Sequence, residues 1–192
     1  MNASLAPGFL IASPPLGDPN FDRTVVLLAL HGEDGALGFV VNRRAPMSLG
    51  ELLEQAEYDE GHHAEGEVWV GGPVQPQSGW VIIDDPKMEG GDGIIEVGDR
   101  LRVSSSRSAF DDIARDAGAG TLDRHRRMVL LGYSGWAPGQ LEGEIARGAW
   151  LPTPMDPAIL FDTPMDERWE AAYALLGLTP THVMSMQRGG DA

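Results

Sequence analysis

The chain has 192 residues, 42 % of them apolar, and 14 basic against 29 acidic side chains give a formal charge of −15. This length can bury one sizeable core, and the lack of cysteine excludes disulfides, thiol catalysis and thiolate metal sites. The charge disfavours general nucleic-acid binding, which draws affinity from phosphate neutralisation by Lys and Arg, and no run approaches the ~18 apolar residues of a membrane helix.

The opening residues, MNASLAPGFLIASPPLGDP, lack a basic region and hold only a short apolar stretch, Phe9 to Ala12, so no signal peptide is expected. Pro14 to Arg23 is dense in Pro, Asp and Asn. It reads as a stiffened turn fixed by an ion-pair cluster of Asp18, Asp22 and Arg23, with a recognition role as the alternative. Thr24 to Leu30 (TVVLLAL) is a continuous apolar run, the pattern of a strand buried on both faces. Asp34-Gly35 predicts a hairpin into a second strand, Ala36 to Val41. Ser48 followed by Glu51 is a capping-box pattern, and Leu49, Leu52, Leu53 and Ala56 share one face of the helix it opens. Strands are expected at Glu67 to Val70 and Trp80 to Ile83, separated by a Gly/Pro-rich loop. Tyr58 to Gly66 and Asp84 to Gly93 read as exposed loops.

Ile94 to Ser104 reads as a hairpin around Gly98-Asp99-Arg100. A three-residue loop pairs Val97 with Leu101 and Ile95 with Val103 on one face, and Glu96 with Arg102 on the other. A second cap pattern, Ser108 with Asp111, opens a helix whose apolar face is Phe110, Ile113, Ala114 and Ala117, ended by Gly118. Arg124-His125-Arg126-Arg127 is the only dense basic stretch. It reads as a solvated turn before the strand Met128 to Leu131, with a local DNA contact as the alternative. Pro138 to Arg147 is a weaker helix with Leu141 and Ile145 on its apolar face. Pro164 stands at the first position of a further helix, with Trp169, Ala172, Tyr173 and Leu176 as its stripe and Gly177 at its end. A flexible tail, Gln187 to Ala192, follows one domain over residues 1–186. Some strands are joined by hairpins and others by helices, which argues for a mixed sheet with helices packed on it, α/β or α+β.

Between the strand at Met128 to Leu131 and the next helix lies Gly132-Tyr133-Ser134-Gly135-Trp136. It approaches the nucleophile elbow G-x-S-x-G, but Trp136 stands where the last glycine belongs. None of His31, His62, His63, His125 and His182 carries a triad signature. Ser134 is therefore expected to hold a turn through backbone hydrogen bonds, with the glycines supplying unusual dihedrals and Trp136 plugging the core. A loop beyond the carboxyl end of a strand and before a helix also suits a small anion or ligand. Asn42, Arg43, Ser134, Trp136 and Gln140 would line such a pocket. Core packing accounts for the five tryptophans. The adjacent His62-His63 reads as a surface pair, no metal site or cofactor is expected, and the glycine clusters at 71–73 and 89–93 fit no phosphate-binding motif.

Five blocks, GFLIASPPLGDPNFDRTVVLL, GALGFVVNR, VWVGGPVQPQSGWVI, LLGYSGWAPGQLEGEIARGAWL and ILFDTPMDERWEAAYALLG, occur in order over nearly the whole chain. Together they resemble the bacterial YqgE/AlgH family. The resemblance implies one compact domain whose mixed sheet folds into a pseudo-barrel flanked by helices, in a cytoplasmic protein. It brings no catalytic residues. It does bring the label of transcriptional regulator, by association with alginate control. An acidic chain with no basic recognition helix fits an indirect role, through a protein partner or a small ligand, better than direct DNA binding. The expectation is a non-enzymatic regulatory or interaction protein, with no membrane association and its oligomeric state left open. The alternative is a ligand- or anion-binding protein or a weak serine hydrolase using the Ser134 turn.

Overall fold

The computed structural model describes residues 4–14, 18–59, 63–87 and 91–188, with the backbone alone at 184 and 186–188. In chain order its elements are β1 (Gly8–Ala12), β2 (Val25–Gly32), β3 (Gly35–Val40), β4 (Arg44–Ser48), α1 (Leu49–Gln55), β5 (Glu67–Val70), β6 (Val74–Asp84), β7 (Ile94–Val97) and β8 (Leu101–Ser104). Then come α2 (Arg107–Gly118), β9 (Arg127–Trp136), α3 (Gln140–Ala146), β10 (Trp150–Pro154), α4 (Pro157–Phe161), a 3-10 turn (Met165–Glu167), α5 (Arg168–Leu175) and α6 (Pro180–Arg188). Two compact units form, one from residues up to Asn42 with those from Ser134 onward, the other from Arg43–Tyr133. Antiparallel pairs dominate, with one parallel pair, β5 with β9, so the fold is mixed α+β.

In the first unit β2 lies between β1 and β3, and β10 pairs outside β1. The apolar run is buried on both faces from Thr24 to Ala29, with Val25 to Leu28 fully buried, but Leu30 is 47 % exposed. The predicted hairpin follows, with Gly32 opposite Gly35. Gly35 has φ +115, and a Cβ there would lie 2.2 Å from the Trp136 carbonyl oxygen, so this turn demands glycine. β1, β4 and β10 lie outside the strands expected, and β10, WLPTP, carries two prolines. Proline belongs on edge strands, and β10 is one.

α5 turns Arg168, Trp169, Ala172 and Tyr173 inward. The expected stripe is present, except that Leu176 is the cap residue and Pro164 opens the 3-10 turn instead of the α-helix. Trp169 Nε1 (3.0 Å) and the Tyr173 hydroxyl (3.2 Å) both donate to the Ala12 carbonyl, filling its two lone pairs. The buried Arg168 guanidinium donates to the carbonyls of Thr163 and Val41. Burial pushes the Tyr173 phenol up to about 12. With the folded value raised, this contribution to stability is full below about pH 10, where the unfolded phenol titrates, and it is lost as pH rises toward about 12. Tyrosinate absorbance should therefore show a late component that appears with alkaline unfolding and is missing in Tyr173→Phe. A titration without that component contradicts the assignment.

In the second unit β4 pairs β5, β9 lies between β5 and β6, and β8 lies between β6 and β7. The β7–β8 hairpin has the predicted register, with Val97 opposite Leu101, Ile95 opposite Val103 and Glu96 opposite Arg102. β6 begins at Val74, earlier than expected, because a register shift between Val74 and Gly79 lets the strand absorb Pro76. Asp84 is not a loop residue: it ends β6, is 5 % exposed, and takes the Arg100 guanidinium on both carboxylate oxygens. The core is built from Leu49, Leu53, Val68, Val81, Ile113 and Val129.

α1 opens on the predicted capping box. Glu51 N donates to Ser48 Oγ (3.2 Å), and Ser48 N donates to Glu51 Oε2 (2.7 Å). The Ser48 backbone N–H first, and the Ser48 hydroxyl, which donates to Glu51 Oε2 (2.9 Å), second, hold the Glu51 carboxyl below its ordinary range. A depressed folded value gives stability that is present above the unfolded pKa, about 4.3, and lost as pH falls through the folded one. Ser48→Ala should cost about 1 kcal/mol. Glu51→Gln should unfold at lower denaturant than wild type at neutral pH and converge with it in acid; equal midpoints at neutral pH contradict this. α2 starts two residues earlier than expected, capped by Ser106 instead of Ser108 (Ala109 N to Oγ 3.3 Å). Asp111, which a Ser108 box would need, instead accepts the Tyr58 hydroxyl (2.9 Å) and faces Arg107 (3.5 Å). The left-handed glycine after this helix is Gly120, not Gly118.

Candidate functional site

β9 runs on through the stretch expected to turn: Arg127–Trp136 is one strand. Ser134 lies inside it, 1 % exposed, opposite Gly38 of β3. A nucleophile elbow holds its serine in an exposed, strained turn. Among the described residues the left-handed non-glycines are Arg23, Glu57 and Gln75, so Ser134 carries neither the exposure nor the strain. The unusual dihedral falls two residues earlier, at Gly132 (φ +70).

After β9, Gly139 (φ +74) turns the chain into the seven-residue α3, and Gln140 Oε1 accepts from Ala137 N (3.0 Å). Leu141 and Ile145 face the apolar cluster as expected. Glu144 lies three residues after Leu141, on the same side. Its Oε2 accepts from Trp136 Nε1 (2.9 Å) and from Trp150 Nε1 (2.8 Å), and its Oε1 accepts from Gln140 Nε2 (2.9 Å). The two indoles meet edge to face at 5.9 Å, and Phe21 packs 6.4 Å from Trp136 and 5.3 Å from Trp150. One carboxylate thus ties β9, α3 and β10 around an aromatic cluster. A carboxylate that already accepts three N–H donors is suited to positioning, not to proton transfer.

Trp136 and Gln140 are therefore brought together, through Glu144. Asn42 holds a different turn: its Oδ1 accepts from Val25 N (2.8 Å) and its Nδ2 donates to the Arg23 carbonyl (2.8 Å). Arg43 belongs to the second unit, where its carbonyl accepts from Val70 N (2.8 Å). In the N-terminal turn, Asp18 Oδ1 accepts from Asn20 N (2.8 Å). Arg23 lies 4.8 Å over the Trp169 ring and 3.9 Å from Glu170, so it reaches α5; Pro15, Leu16 and Gly17 lie outside the described residues. Trp69, Trp136, Trp150 and Trp169 are buried, and Trp80 packs edge to face on Tyr133 at 5.9 Å.

The basic stretch serves the fold. Arg124 reaches Glu65 (3.9 Å), Arg126 Nε donates to the Asp84 carbonyl (2.9 Å), and Arg127 pairs with Asp116. Among the described residues no three His, Asp or Glu side chains gather as metal ligands. His63 is exposed; His62, Glu89 and Gly90 lie outside the described residues.

Two groups were missed in the sequence, Glu144 and His31. Glu144 had a signal, an acid set within the Leu141/Ile145 stripe. His31 had none: its Nδ1 accepts from Leu5 N (3.0 Å) and its Nε2 lies 3.1 Å from Glu142 Oε1, partners 26 and 111 residues away.

The sequence matches the family model described as DUF179: AlgH-like over residues 9–181. It is 40 % identical over 196 residues to a UPF0301 protein of Anaeromyxobacter dehalogenans strain 2CP-C, covering 99 % of this chain and 97 % of that one. It is 42 % identical over 171 residues to a UPF0301 protein of Ruegeria pomeroyi, covering 88 % and 90 %. Its structure is similar to the solution structure of the AlgH protein from Pseudomonas aeruginosa, with a TM-score of 0.75, 39 % identity, and 96 % and 95 % of the two chains covered. A crystal structure from Corynebacterium diphtheriae shares the fold at a TM-score of 0.69 and 20 % identity, over 90 % and 87 %.

Proposed function

The chain belongs to the AlgH-like family, and from that premise we propose that it is a non-enzymatic regulatory or interaction protein of the bacterial cytoplasm, acting through a protein partner or a small ligand. The observation that carries this reading is the engagement of the candidate-site side chains in the fold itself. Glu144, Gln140 and Asn42 each use both ends of their polar groups on this chain's own donors and acceptors. A hydrolase needs a nucleophile exposed to substrate with a base in reach, and Ser134 is 1 % exposed within a strand. The charge of −15 and the pairing of Arg124 and Arg127 with carboxylates favour an indirect regulatory role over direct DNA contact. A cysteine-free chain suits the reducing cytoplasm, and among the described residues no helix is long and apolar enough to cross a membrane.

Native mass spectrometry on protein purified gently from its own organism tests this reading. A second polypeptide at defined stoichiometry supports partner binding. A small mass that leaves on denaturation supports the ligand branch. A bare chain that turns over ester substrates contradicts both.

A further inference from the structure

Residues 4–7 run as a strap held by His31. Ser4 Oγ donates to the His31 carbonyl (3.1 Å), and Leu5 N donates to His31 Nδ1 (3.0 Å). On the other side of the ring, Nε2 lies 3.1 Å from Glu142 Oε1 of α3. The imidazole is 5 % exposed. An amide N–H can only donate, so Nδ1 is the acceptor, and the ring proton sits on Nε2, directed at Glu142. The geometry therefore specifies the neutral imidazole and one tautomer. Leu5 and Ala6 pack on the cluster of Trp136, Leu141 and Trp150, so the strap covers the aromatic core that Glu144 organises.

We propose that the 4–7 strap is a proton-sensitive cover, loosened over the aromatic cluster when His31 becomes charged. An imidazolium bears a proton on both nitrogens. Nδ1–H would then point at Leu5 N–H, donor against donor, and the strap would lose that long-range bond. The surroundings of the ring set up this conflict. Glu142 is the charged group within bonding distance, and it favours the cation. The Leu5 amide opposes it, and Ala36, the β3 residue opposite, is uncharged. Glu33 and Asp34 in the adjoining hairpin turn are exposed acids. Glu142 and the Leu5 amide thus make opposite demands on the two ring nitrogens, and a proton on Nδ1 removes the Leu5 bond. The loosening raises the opening of the strap at Leu5 and does not depend on any role for Ser134.

Solution NMR of the full chain between about pH 8 and pH 5, where histidine titrates, tests the proposal. The expected result is a roughly three- to tenfold loss of Leu5 amide protection, the size of one ordinary hydrogen bond, after correction for intrinsic exchange. It should share its midpoint with the His31 ring signals. His31→Asn places a non-titrating acceptor near the Nδ1 position and should make Leu5 protection independent of pH. Leu5 protection that stays constant while His31 titrates overturns the proposal. So does a His31 ring that remains neutral until the protein unfolds, or a loss of protection that persists unchanged in His31→Asn.

Discussion

Glu144→Ala should lower stability by roughly 2–5 kcal/mol, the cost of leaving buried hydrogen-bond donors without an acceptor. Trp136 and Trp150 are 6 % and 1 % exposed, and both indole N–H groups end on Glu144 Oε2. Alanine removes that acceptor and offers nothing in its place. Against a typical total of about 5–15 kcal/mol, such a loss leaves a marginal protein. Glu144→Gln keeps one oxygen able to accept from both indoles. Its new amide group faces Gln140 Nε2, donor to donor, so this variant should lose about 1 kcal/mol. Urea denaturation followed by tryptophan fluorescence and by circular dichroism measures both. An alanine variant within about 0.5 kcal/mol of wild type, the range of ordinary surface changes, would show that the indoles find other acceptors.

Gly132→Ala should be still more damaging, costing more than about 4 kcal/mol or giving no soluble folded protein. Two effects combine there. The backbone has φ +70, and a Cβ would lie 2.4 Å from the Gly72 carbonyl oxygen and 3.0 Å from that of Val74. Those atoms are backbone, so they cannot swing aside as a side chain would. Gly139→Ala separates the two effects: φ is +74 there, but nothing lies within 4 Å of the added Cβ. It should carry only the left-handed penalty, about 1–2 kcal/mol. Comparable losses at the two positions would remove close backbone approach as the reason for Gly132.

Gly132 also explains why the sequence misleads at this point. Gly-Tyr-Ser-Gly reads as turn chemistry, yet β9 passes through it. The partner strand carries the irregularity: Leu131 is opposite Gly79 and Tyr133 opposite Val74, so the β6 register shift lies across from Gly132. No local signal reveals a bulge on a strand some fifty residues away, as the long-range pairing of β6 and β9 is tertiary. The β7–β8 hairpin was legible to the residue because alternation and charge pairing both change with a one-residue slip. The α1 cap was legible because its partners lie within four residues. The second cap was not, since Tyr58 takes Asp111 from 53 residues away. The candidate site follows the same rule. Trp136 and Gln140 meet over a short stretch of chain, whereas the His31 contacts depend on the folded arrangement.

We propose that the Ser134 stretch holds the fold together and takes no part in chemistry. Its most direct test is intact-mass analysis of the folded protein after exposure to a fluorophosphonate probe, with an authentic serine hydrolase labelled in parallel. The expected result is an unmodified chain beside a fully labelled control. A stoichiometric adduct that maps to Ser134, and disappears in Ser134→Ala, would contradict it.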